Sequence, residues 1–272
     1  MRILKFSVLA VFMVTLLIFS YFFISENINV DKTYPTITIE GDMLEVDTDA
    51  EKSDFLKGVT AFDEKDKDLT GDVIVESVSK FREKGICKVT YAVCDSDNHV
   101  AKATRKIKYK NYVSPRFKVK ESTCFSIYEN TNVEGIIEAI DCIDGNITRD
   151  MIITSEDYTP AVSGVFTLDI SVTNSKGDTS KVQLPLIVED RSISAPEIKL
   201  SDYLIYLDKG EKVNFKDYIE SATSRDGDNL KSEVSVESQI DFNKSGTYNV
   251  HYYVKDKDGE RGHTVLSVVV GS

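Results

Sequence analysis

The sequence predicts an all-β protein, with three tandem antiparallel β-sandwiches preceded by one transmembrane helix. Three observations carry this prediction. An uncharged run stands near the amino terminus, strands with apolar residues at every second position recur along the chain, and prolines recur at intervals of 80 and 81 residues. Because such alternation buries one face of a strand, the pattern is typical of sheets that pack face to face.

The first element is an apolar segment at residues 6–24, which contains no charged residue and follows Arg2 and Lys5. A helix of that length measures roughly 28 Å, close to the hydrocarbon thickness of a bilayer. Since positive residues stay in the cytoplasm, we expect a cytoplasmic tail at 1–5, a signal anchor at 6–24 and residues 25–272 outside the cell. A cleaved signal peptide is the alternative, although its apolar region is usually shorter and ends in small residues.

The remaining chain is acidic. The whole sequence has 33 basic and 45 acidic residues, a formal net charge of −12. A nucleic-acid partner is therefore not expected, because phosphate backbones are bound by clustered lysine and arginine. The four cysteines include no C-x-x-C pair, so neither a zinc site nor a disulfide scaffold is indicated.

Three segments share one hairpin pattern: GICKVTYAVCDSDN from Gly85, GVFTLDISVTNSKG from Gly164 and GTYNVHYYVKDKDG from Gly246. In each, the residues two, four, six and eight positions after the glycine are apolar or aromatic, and a turn former follows at position ten. The next strand keeps the same phase. This pattern predicts a hairpin with one buried face in every copy. The predicted core positions are Cys87, Val89, Tyr91, Val93, Ile107 and Tyr109, then Phe166, Leu168, Ile170, Val172, Leu186 and Val188, then Tyr248, Val250, Tyr252, Val254, Val268 and Val270.

Prolines mark the start of each copy. Pro35, Pro115 and Pro196 precede the alternating stretches ITIE, FKVK and EIKL. A proline is tolerated at the first residue of an edge strand because its missing N–H faces away from the ladder. These landmarks predict a polar stem at 25–33 and three domains at 34–110, 114–190 and 195–271.

The stretch IDFNKSGTYNVHYYVKDKDG (240–259) closely resembles the closing hairpin of bacterial immunoglobulin-like domains of group 3. A second element of that family, A-x-D-x-x-D-G-D-I-T, resembles AFDEKDKDLT (61–70) and AIDCIDGNIT (139–148). In the third copy, ATSRDGDNLK (222–231), the first aspartate is replaced and we expect the spacing to slip. The resemblance implies immunoglobulin-like sandwiches on a bacterial cell surface, and it implies no activity.

The aspartate-rich stretches could hold calcium or form a turn. Calcium takes six to eight oxygen ligands, and each stretch supplies three at best, with a spacing unlike that of an EF-hand. The turn is favoured, because Asp and Asn side chains accept backbone N–H bonds and tolerate left-handed geometry. Calcium is the minority alternative, and no other cofactor is expected. The oxygen donors concerned are Asp63, Asp66, Asp68, Asp141, Asp144 and Asn146.

The cysteines leave two alternatives open. Cys87 holds a core position and Cys94 has the opposite parity, so we expect one buried and one outward-facing thiol. Cys124 and Cys142 lie in the same predicted domain. They form a disulfide if their Cα atoms come within about 7 Å, and separate thiols are the favoured alternative.

No catalytic constellation is visible. His99, His251 and His263 have no serine or cysteine motif around them, and we expect all three to be exposed turn or strand residues. No nucleophile elbow, zincin or phosphate-binding loop appears. The sequence therefore predicts a protein that is not an enzyme. The candidate ligand surface is in the third domain, at His251, Tyr253, Asp226 and Asp228.

These observations predict a membrane-anchored bacterial surface protein whose stalk of domains serves adhesion or ligand binding. Its partners would be a cell-wall glycan or another surface protein. The alternative is a non-catalytic spacer or accessory subunit of a membrane or cell-wall assembly, rigidified by calcium.

Overall fold

A computed structural model describes residues 2–28, 32–127, 129, 132–155, 157–159 and 162–271. The chain divides into a first compact unit, Met1–Ser79 with Ile86–Lys110, and a second, Lys80–Gly85 with Asn111–Ser272. Both units are built mainly from β-strands, and antiparallel pairs prevail. The predicted fold class is therefore confirmed.

A single long helix precedes the strands. This helix, α1 (Arg2–Ile28), has 27 residues and contains the uncharged run. The stretch Phe6–Ile24 is apolar and long enough to cross a membrane, and none of it is buried against the protein. The helix extends into the predicted stem, so residues 25–28 are helical rather than an irregular polar connector. Residues 29–31 of that stem, and Met1 of the predicted tail, lie outside the described residues.

The first unit contains two sheets. Their orders are β1-β3-β4 and β2-β7-β6-β5. The strands are β1 (Thr36–Ile39), β2 (Met43–Val46), β3 (Val59–Asp63), β4 (Lys67–Asp68), β5 (Ile74–Val78), β6 (Ile86–Cys94) and β7 (Val100–Tyr109).

The second unit contains two further pairs of sheets, which we call the middle pair and the last pair. In the middle pair the orders are β11-β10-β8 and β12-β13-β14-β9, and in the last pair they are β15-β17 and β16-β20-β19-β18. The middle pair comprises β8 (Arg116–Val119), β9 (Cys124–Ser126), a one-turn helix α2 (Val133–Ile136), β10 (Ile137–Asp141), β11 (Gly145–Asn146), β12 (Ile152–Thr154), β13 (Gly164–Thr173) and β14 (Thr179–Glu189). The last pair comprises β15 (Glu197–Leu200), β16 (Leu204–Leu207), β17 (Ile219–Thr223), β18 (Ser235–Ser238), β19 (Gly246–Lys255) and β20 (Arg261–Val270).

The same connectivity recurs in all three pairs of sheets. A long hairpin (β6–β7, β13–β14 or β19–β20) lies at the centre of each four-stranded sheet. One departure from the predicted purely antiparallel pairing also recurs: β2, β9 and β16 run parallel to the second strand of their hairpin. Each four-stranded sheet thus receives one short strand before the chain crosses to the other sheet of the pair, and a second after the chain returns.

The predicted core positions of the hairpins face inward. Tyr91, Ile170 and Tyr252 are almost fully buried at equivalent places, and Phe166 and Tyr248 are half-buried at the open end of their strands. Each of the three marker prolines immediately precedes a strand. Because the division into two units does not follow the three repeats, the boundaries of the three domains stay a prediction.

Candidate functional site

The aspartate-rich stretch of the first unit forms a turn held by its own side chains. Asp63 is 1% exposed, and its Oδ1 accepts hydrogen bonds from the backbone N–H groups of Lys65 (2.8 Å) and Asp66 (3.1 Å). Asp68 accepts from Thr70 N at 3.0 Å, and this contact with Thr70 lowers the pKa of the Asp68 carboxyl. These are the contacts that a turn residue is expected to make.

The middle pair of sheets repeats the turn residue for residue. Asp141 Oδ1 accepts from the N–H groups of Ile143 (2.8 Å) and Asp144 (2.9 Å), and Asn146 accepts from Thr148 N at 3.0 Å. The position that needs a left-handed backbone is Gly145, with φ +71°, and in the first unit Lys67 adopts φ +69° there. Glycine is the residue that takes this conformation without strain.

The second aspartate of each stretch ties this turn to the tip of the neighbouring hairpin. Asp66 Oδ2 accepts from Ser96 N at 3.0 Å. In the middle pair, Asp144 accepts from both the N–H and the hydroxyl group of Ser175, each at 2.7 Å. The second aspartate therefore links two loops that belong to different sheets.

These contacts bear on the calcium alternative. Both oxygens of Asp141 are engaged, since Oδ2 also accepts from Asn174 Nδ2 at 3.0 Å, and Asp63 Oδ2 accepts from Thr33 Oγ1 at 3.3 Å. Among the described residues no cluster of three or more His, Cys, Asp or Glu is arranged to hold a metal. Calcium needs many free oxygens, so the arrangement fits a turn better than an ion site. Calcium binding itself stays a prediction.

The third stretch keeps the register of its flanking residues, and the expected slip in spacing is confined to the turn. Leu230 N donates to Ala222 O at 2.8 Å, as Leu69 N does to Ala61 O at 3.0 Å. The difference lies inside the turn, where Gly227 has φ +89° one position earlier than Gly145 does in its own copy. The one-position shift of the left-handed residue thus leaves the flanking residues aligned.

The candidate ligand residues Asp226 and Asp228 lie in this third turn and are exposed. Both carboxylates contact Lys257 Nζ, at 2.8 and 3.7 Å. The hydrogen bond from Lys257 lowers the pKa of Asp226. This contact replaces the aspartate–serine link of the other two copies, so here too the turn is tied to the hairpin tip.

The disulfide alternative is not realised. Cys124 and Cys142 are both free thiols, because Cys124 lies in β9 of the four-stranded sheet and Cys142 in the turn after β10 of the other sheet. Cys142 Sγ instead donates to Val113 O at 3.2 Å. Burial raises the pKa of Cys124 to about 12, which makes it a poor nucleophile at neutral pH. Cys87 is buried and Cys94 exposed, as predicted.

The expectation of three exposed histidines is wrong. His263 is 8% exposed, and its Nδ1 lies 2.7 Å from Glu189 Oε1 while its Nε2 lies 3.0 Å from Nδ1 of His251. His251 is half-buried beside it. His99 is also partly covered, because Asp95 holds its Nδ1 at 2.8 Å. Strand parity placed His251 away from the core correctly, but a second surface covers that face.

The covering surface comes from the middle pair of sheets within the second unit. Glu189 ends β14 and Arg191 follows it, and Arg191 Nη1 donates to the backbone oxygen of His263 at 3.0 Å. Cys124, Ile187 and Val265 form a small apolar cluster across the same contact. We use the name joint for this cluster together with the contacts of His263 to Glu189, Arg191 and His251.

Further contacts strengthen the association of the middle and last pairs. The hydroxyl oxygen of Tyr206 accepts a hydrogen bond from Phe117 N in β8 at 2.9 Å, and the Arg116 guanidinium lies 4.9 Å from the Tyr206 ring centre. Thr264 Oγ1 donates to Ser122 Oγ at 2.7 Å. Bonds between these two pairs of sheets therefore come from several strands rather than from the connector alone.

The imidazoles of the joint belong to an aromatic stack. Tyr253 and His263 have ring centres 4.4 Å apart, and His251 and His263 are 5.3 Å apart. Arg261 lies over the outer face of Tyr253 at 5.1 Å. The hydrogen bond from His263 lowers the pKa of Glu189, whereas burial and the neighbouring His263 lower the pKa of His251. Of the four predicted ligand residues, His251 and Tyr253 thus lie together here, apart from the turn of Asp226 and Asp228.

A polar cleft of about 750 Å³ opens beside the joint. Its walls include Arg191 and His263, and charged residues of both signs surround it. Lys199 already pairs with Glu197 at 3.6 Å. Sequence reasoning missed the cleft and the joint, because neither Glu189 nor Arg191 belongs to a motif. The one available signal was His263 itself, a titratable residue within a predicted strand that has no obvious polar partner nearby in the sequence.

Comparison with known proteins gives a family match within the last pair of sheets. Residues 201–270 match the family model described as a bacterial surface protein, Ig-like domain. Two curated relatives also match. One is an uncharacterised 81.3 kDa protein of Acholeplasma phage L2, 30% identical over 136 residues that cover 48% of this chain and 18% of the relative. The other is the pesticidal crystal protein Cry22Aa of Bacillus thuringiensis, 28% identical over 138 residues, 49% of this chain and 18% of the relative. The chain thus spans about a fifth of the length of the curated relatives it matches.

Solved structures align over most of the chain at low similarity. The M60 catalytic domain with the CBM51-1 and CBM51-2 domains from Clostridium perfringens ZmpB has a TM-score of 0.24 and 16% identity, covering 89% of this chain and 31% of that one. Drosophila N-cadherin EC1-4 has a TM-score of 0.23 and 12% identity, covering 89% and 76%.

Proposed function

We propose, because residues 201–270 match the model of a bacterial surface protein, Ig-like domain, that this chain is a membrane-anchored surface protein whose sheet domains form a binding stalk. The observation that carries the proposal is the combination of that domain with the exposed apolar helix segment Phe6–Ile24 on one chain. A helix of this length and composition is stable in lipid, whereas a surface domain belongs outside the cell.

The anchor can be tested by fractionating bacteria that produce the full chain. We expect the protein in membranes after alkaline washing, and we expect its exposed lysines to react with an amine reagent that does not cross the membrane. Changing Leu16→Arg and Leu17→Arg places two charges in the middle of the helix, which should abolish retention in the membrane. Release of the unchanged protein by the alkaline wash, or protection of its lysines in intact cells, would refute the proposed location.

The proposed partners are a cell-wall glycan or another surface protein. The supporting features are a net charge of −12 and the polar loops of the last pair of sheets, which include Asp226 and Asp228. Loops carried on a rigid scaffold commonly provide binding residues. We propose neither a catalytic activity nor a resident cofactor, since the histidines of the described chain contact carboxylates and aromatic rings rather than a nucleophile.

Adhesion and a spacer role make different predictions. Binding to intact cells or wall fragments should survive the Leu16→Arg, Leu17→Arg change if the sheet domains carry it. Capture of membrane partners by the unchanged protein alone would instead favour the accessory-subunit alternative, because the helix would then be the docking element. Turnover of wall polymer by the purified protein would contradict the proposal that the protein has no catalytic activity.

A further inference from the structure

The joint contains a chain of three titratable groups: Glu189, His263 and His251. The two distances along it are 2.7 Å from Glu189 Oε1 to His263 Nδ1 and 3.0 Å from His263 Nε2 to His251 Nδ1. The chain runs from the end of β14, in the middle pair of sheets, to β20 and β19 in the last pair. It therefore couples the protonation of two imidazoles to the contact between two pairs of sheets.

The protons of this chain can be assigned from the donors and acceptors alone. An ionised carboxylate only accepts, so His263 Nδ1 carries the hydrogen that binds Glu189. In a neutral His263 the Nε2 atom is then an acceptor, and His251 Nδ1 must donate to it. Every nitrogen that faces another polar atom is satisfied in this state.

We propose that the joint is released by acid: it stays closed while the His251–His263 pair holds no more than one extra proton, and the second proton opens it. The pair accommodates one extra proton without losing the hydrogen bond between the two imidazoles. If it binds His251 at Nε2, the existing bond remains, and if it binds His263 at Nε2, His251 Nδ1 becomes the acceptor. The pair thus behaves as a coupled titration in which the two steps differ.

The second proton removes the acceptor. His251 Nδ1 and His263 Nε2 would both carry hydrogens while 3.0 Å apart, so attraction becomes repulsion between two cations. Rotation of His251 into solvent would relieve the repulsion between the cations, but it would leave His263 Nε2 without an acceptor. His263 is 8% exposed, and within the described chain its Nε2 bonds to His251. A buried charged donor without a partner is strongly unfavourable, so water must reach it.

The neighbouring cleft gives that water a route. Arg191 and His263 both line it, and Arg191 holds the backbone of His263. Hydrating His263 Nε2 from the cleft requires the ring to move out of its stack with Tyr253, which weakens its bond to Glu189. The expected result is looser contact between β14 and β20 rather than unfolding of either pair of sheets.

The charges around the pair oppose one another. Two carboxylates attract the added protons, since Glu237 of β18 stands opposite His251 and Glu189 binds His263. Burial and the mutual repulsion of the imidazoles disfavour the added protons. At His251 these two effects outweigh the attraction of the carboxylates. The remaining titratable or charged groups that act on the stack are Arg191, Arg261, Tyr253 and the buried thiol of Cys124.

Hydrogen exchange on the full chain tests the proposal. Amide exchange, corrected for its intrinsic pH dependence, is measured by mass spectrometry at pH 8 and pH 5 for peptides covering 187–191 and 261–265. In the unchanged protein we expect faster corrected exchange at pH 5. The increase can reach about thirtyfold, because the ordinary histidine pKa near 6.5 lies about 1.5 units above that pH. Peptides from β6 and β7 of the first unit provide an internal reference, since they contain no part of the stack.

Two variants make the test specific. His251→Asn keeps an amide near the position of Nδ1 that can donate or accept but does not titrate, so the ratio between the two pH values should fall to about one. His99→Asn makes the same chemical change at a histidine of the first unit and should leave the ratio as in the unchanged protein. The proposal is overturned by a ratio of about one in the unchanged protein, or by an unaltered ratio in His251→Asn.

Discussion

The guanidinium of Arg105 is buried beside the hydroxyl of Tyr91 in the core of the first unit, with Nη2 and Oη 3.1 Å apart. Arg105 is 4% exposed and belongs to no ion pair within the described chain. Its donors bind carbonyl oxygens instead, those of Phe55 and Lys57 at 2.8 Å and that of Glu40 at 3.3 Å. The charge is thus held by backbone dipoles on two separate segments, one at Glu40 and one at Phe55 and Lys57.

Replacing Arg105 should therefore destabilise the first unit. We expect Arg105→Leu to lower the free energy of unfolding by about 2–4 kcal/mol, because buried carbonyls lose their donors. Leu184 and Leu266 occupy the equivalent positions in the other hairpins, so leucine itself fits such a site. The measurement is urea unfolding followed by tyrosine fluorescence, which suits a chain without tryptophan. Lys106→Leu, at an exposed neighbour, should change stability by less than about 0.5 kcal/mol, and an equal loss in both variants would contradict this account.

The alternating pattern predicted the hairpins well because burial follows the two-residue period of a strand. It identified Tyr91, Tyr252 and their neighbours as core. It gave no reason to expect a cation at Arg105, whose partners Glu40 and Phe55 come from segments 65 and 50 residues away. The joint was not predicted for the same reason, because Glu189 and His263 are 74 residues apart and no local pattern encodes their contact.

The two buried tyrosines of the hairpins should contribute a hydrogen bond each. Tyr252 donates to Phe215 O at 2.9 Å, as Tyr91 does to Phe55 O at 2.7 Å. Tyr252→Phe keeps the ring and removes the hydroxyl, so we expect a loss of about 1–2 kcal/mol from the unpaired carbonyl. Tyr248→Phe is the control, since its hydroxyl bonds to Lys244 O at an exposed site. Urea melts in which Tyr248→Phe is the more damaging change would be inconsistent with this assignment.

Gly262 should tolerate no side chain. A Cβ at this position would lie 2.2 Å from Pro196 O, a backbone atom that cannot move aside without shifting the start of β15. We expect Gly262→Ala to destabilise the second unit by about 2–3 kcal/mol through overpacking. Gly71→Ala is the matched control, because a Cβ there meets nothing within 4 Å. Thermal melts of the two variants measure the difference, and similar melting temperatures would count against the close approach.

Glu189 should make the second unit sensitive to acid. The hydrogen bond from His263 lowers the pKa of this carboxyl in the folded protein, so its contribution is present above the ordinary glutamate value near 4.5 and is lost as pH falls through the folded pKa. Glu189→Gln cannot titrate and should flatten this part of the profile. Urea midpoints between pH 6 and pH 3 would show it, and a profile as steep as that of the unchanged protein would assign the acid sensitivity to other groups.

The same position of the hairpin tip holds Asn174 in the middle pair and Asp256 in the last pair, and these side chains differ at one terminal atom. We expect that atom to decide which of the two residue types each tip accepts. Asn174 is 4% exposed, and its Oδ1 accepts from Lys176 N at 3.1 Å and Asp178 N at 2.9 Å. Asp256 makes the same two bonds with an oxygen, to Asp258 N and Glu260 N at 2.9 Å each. Either residue type therefore builds the turn. What differs is the second atom of the side chain, since Asn174 Nδ2 donates to Asp141 Oδ2 at 3.0 Å.

Asn174→Asp should consequently be damaging although aspartate is the natural residue of the other two tips. It sets a carboxylate against buried Asp141 and removes that residue's donor, at a cost of about 2–4 kcal/mol at pH 7. Protonating one of the two carboxyls restores a hydrogen bond, so the deficit should shrink as pH falls toward 4. The reverse change, Asp256→Asn, leaves both turn bonds in place at a half-exposed tip and should cost less than about 0.5 kcal/mol. Urea unfolding at pH 7 and pH 4 distinguishes the cases: equal effects of the two variants, or a deficit of Asn174→Asp that does not respond to pH, would show that the bond to Asp141 does not set the choice.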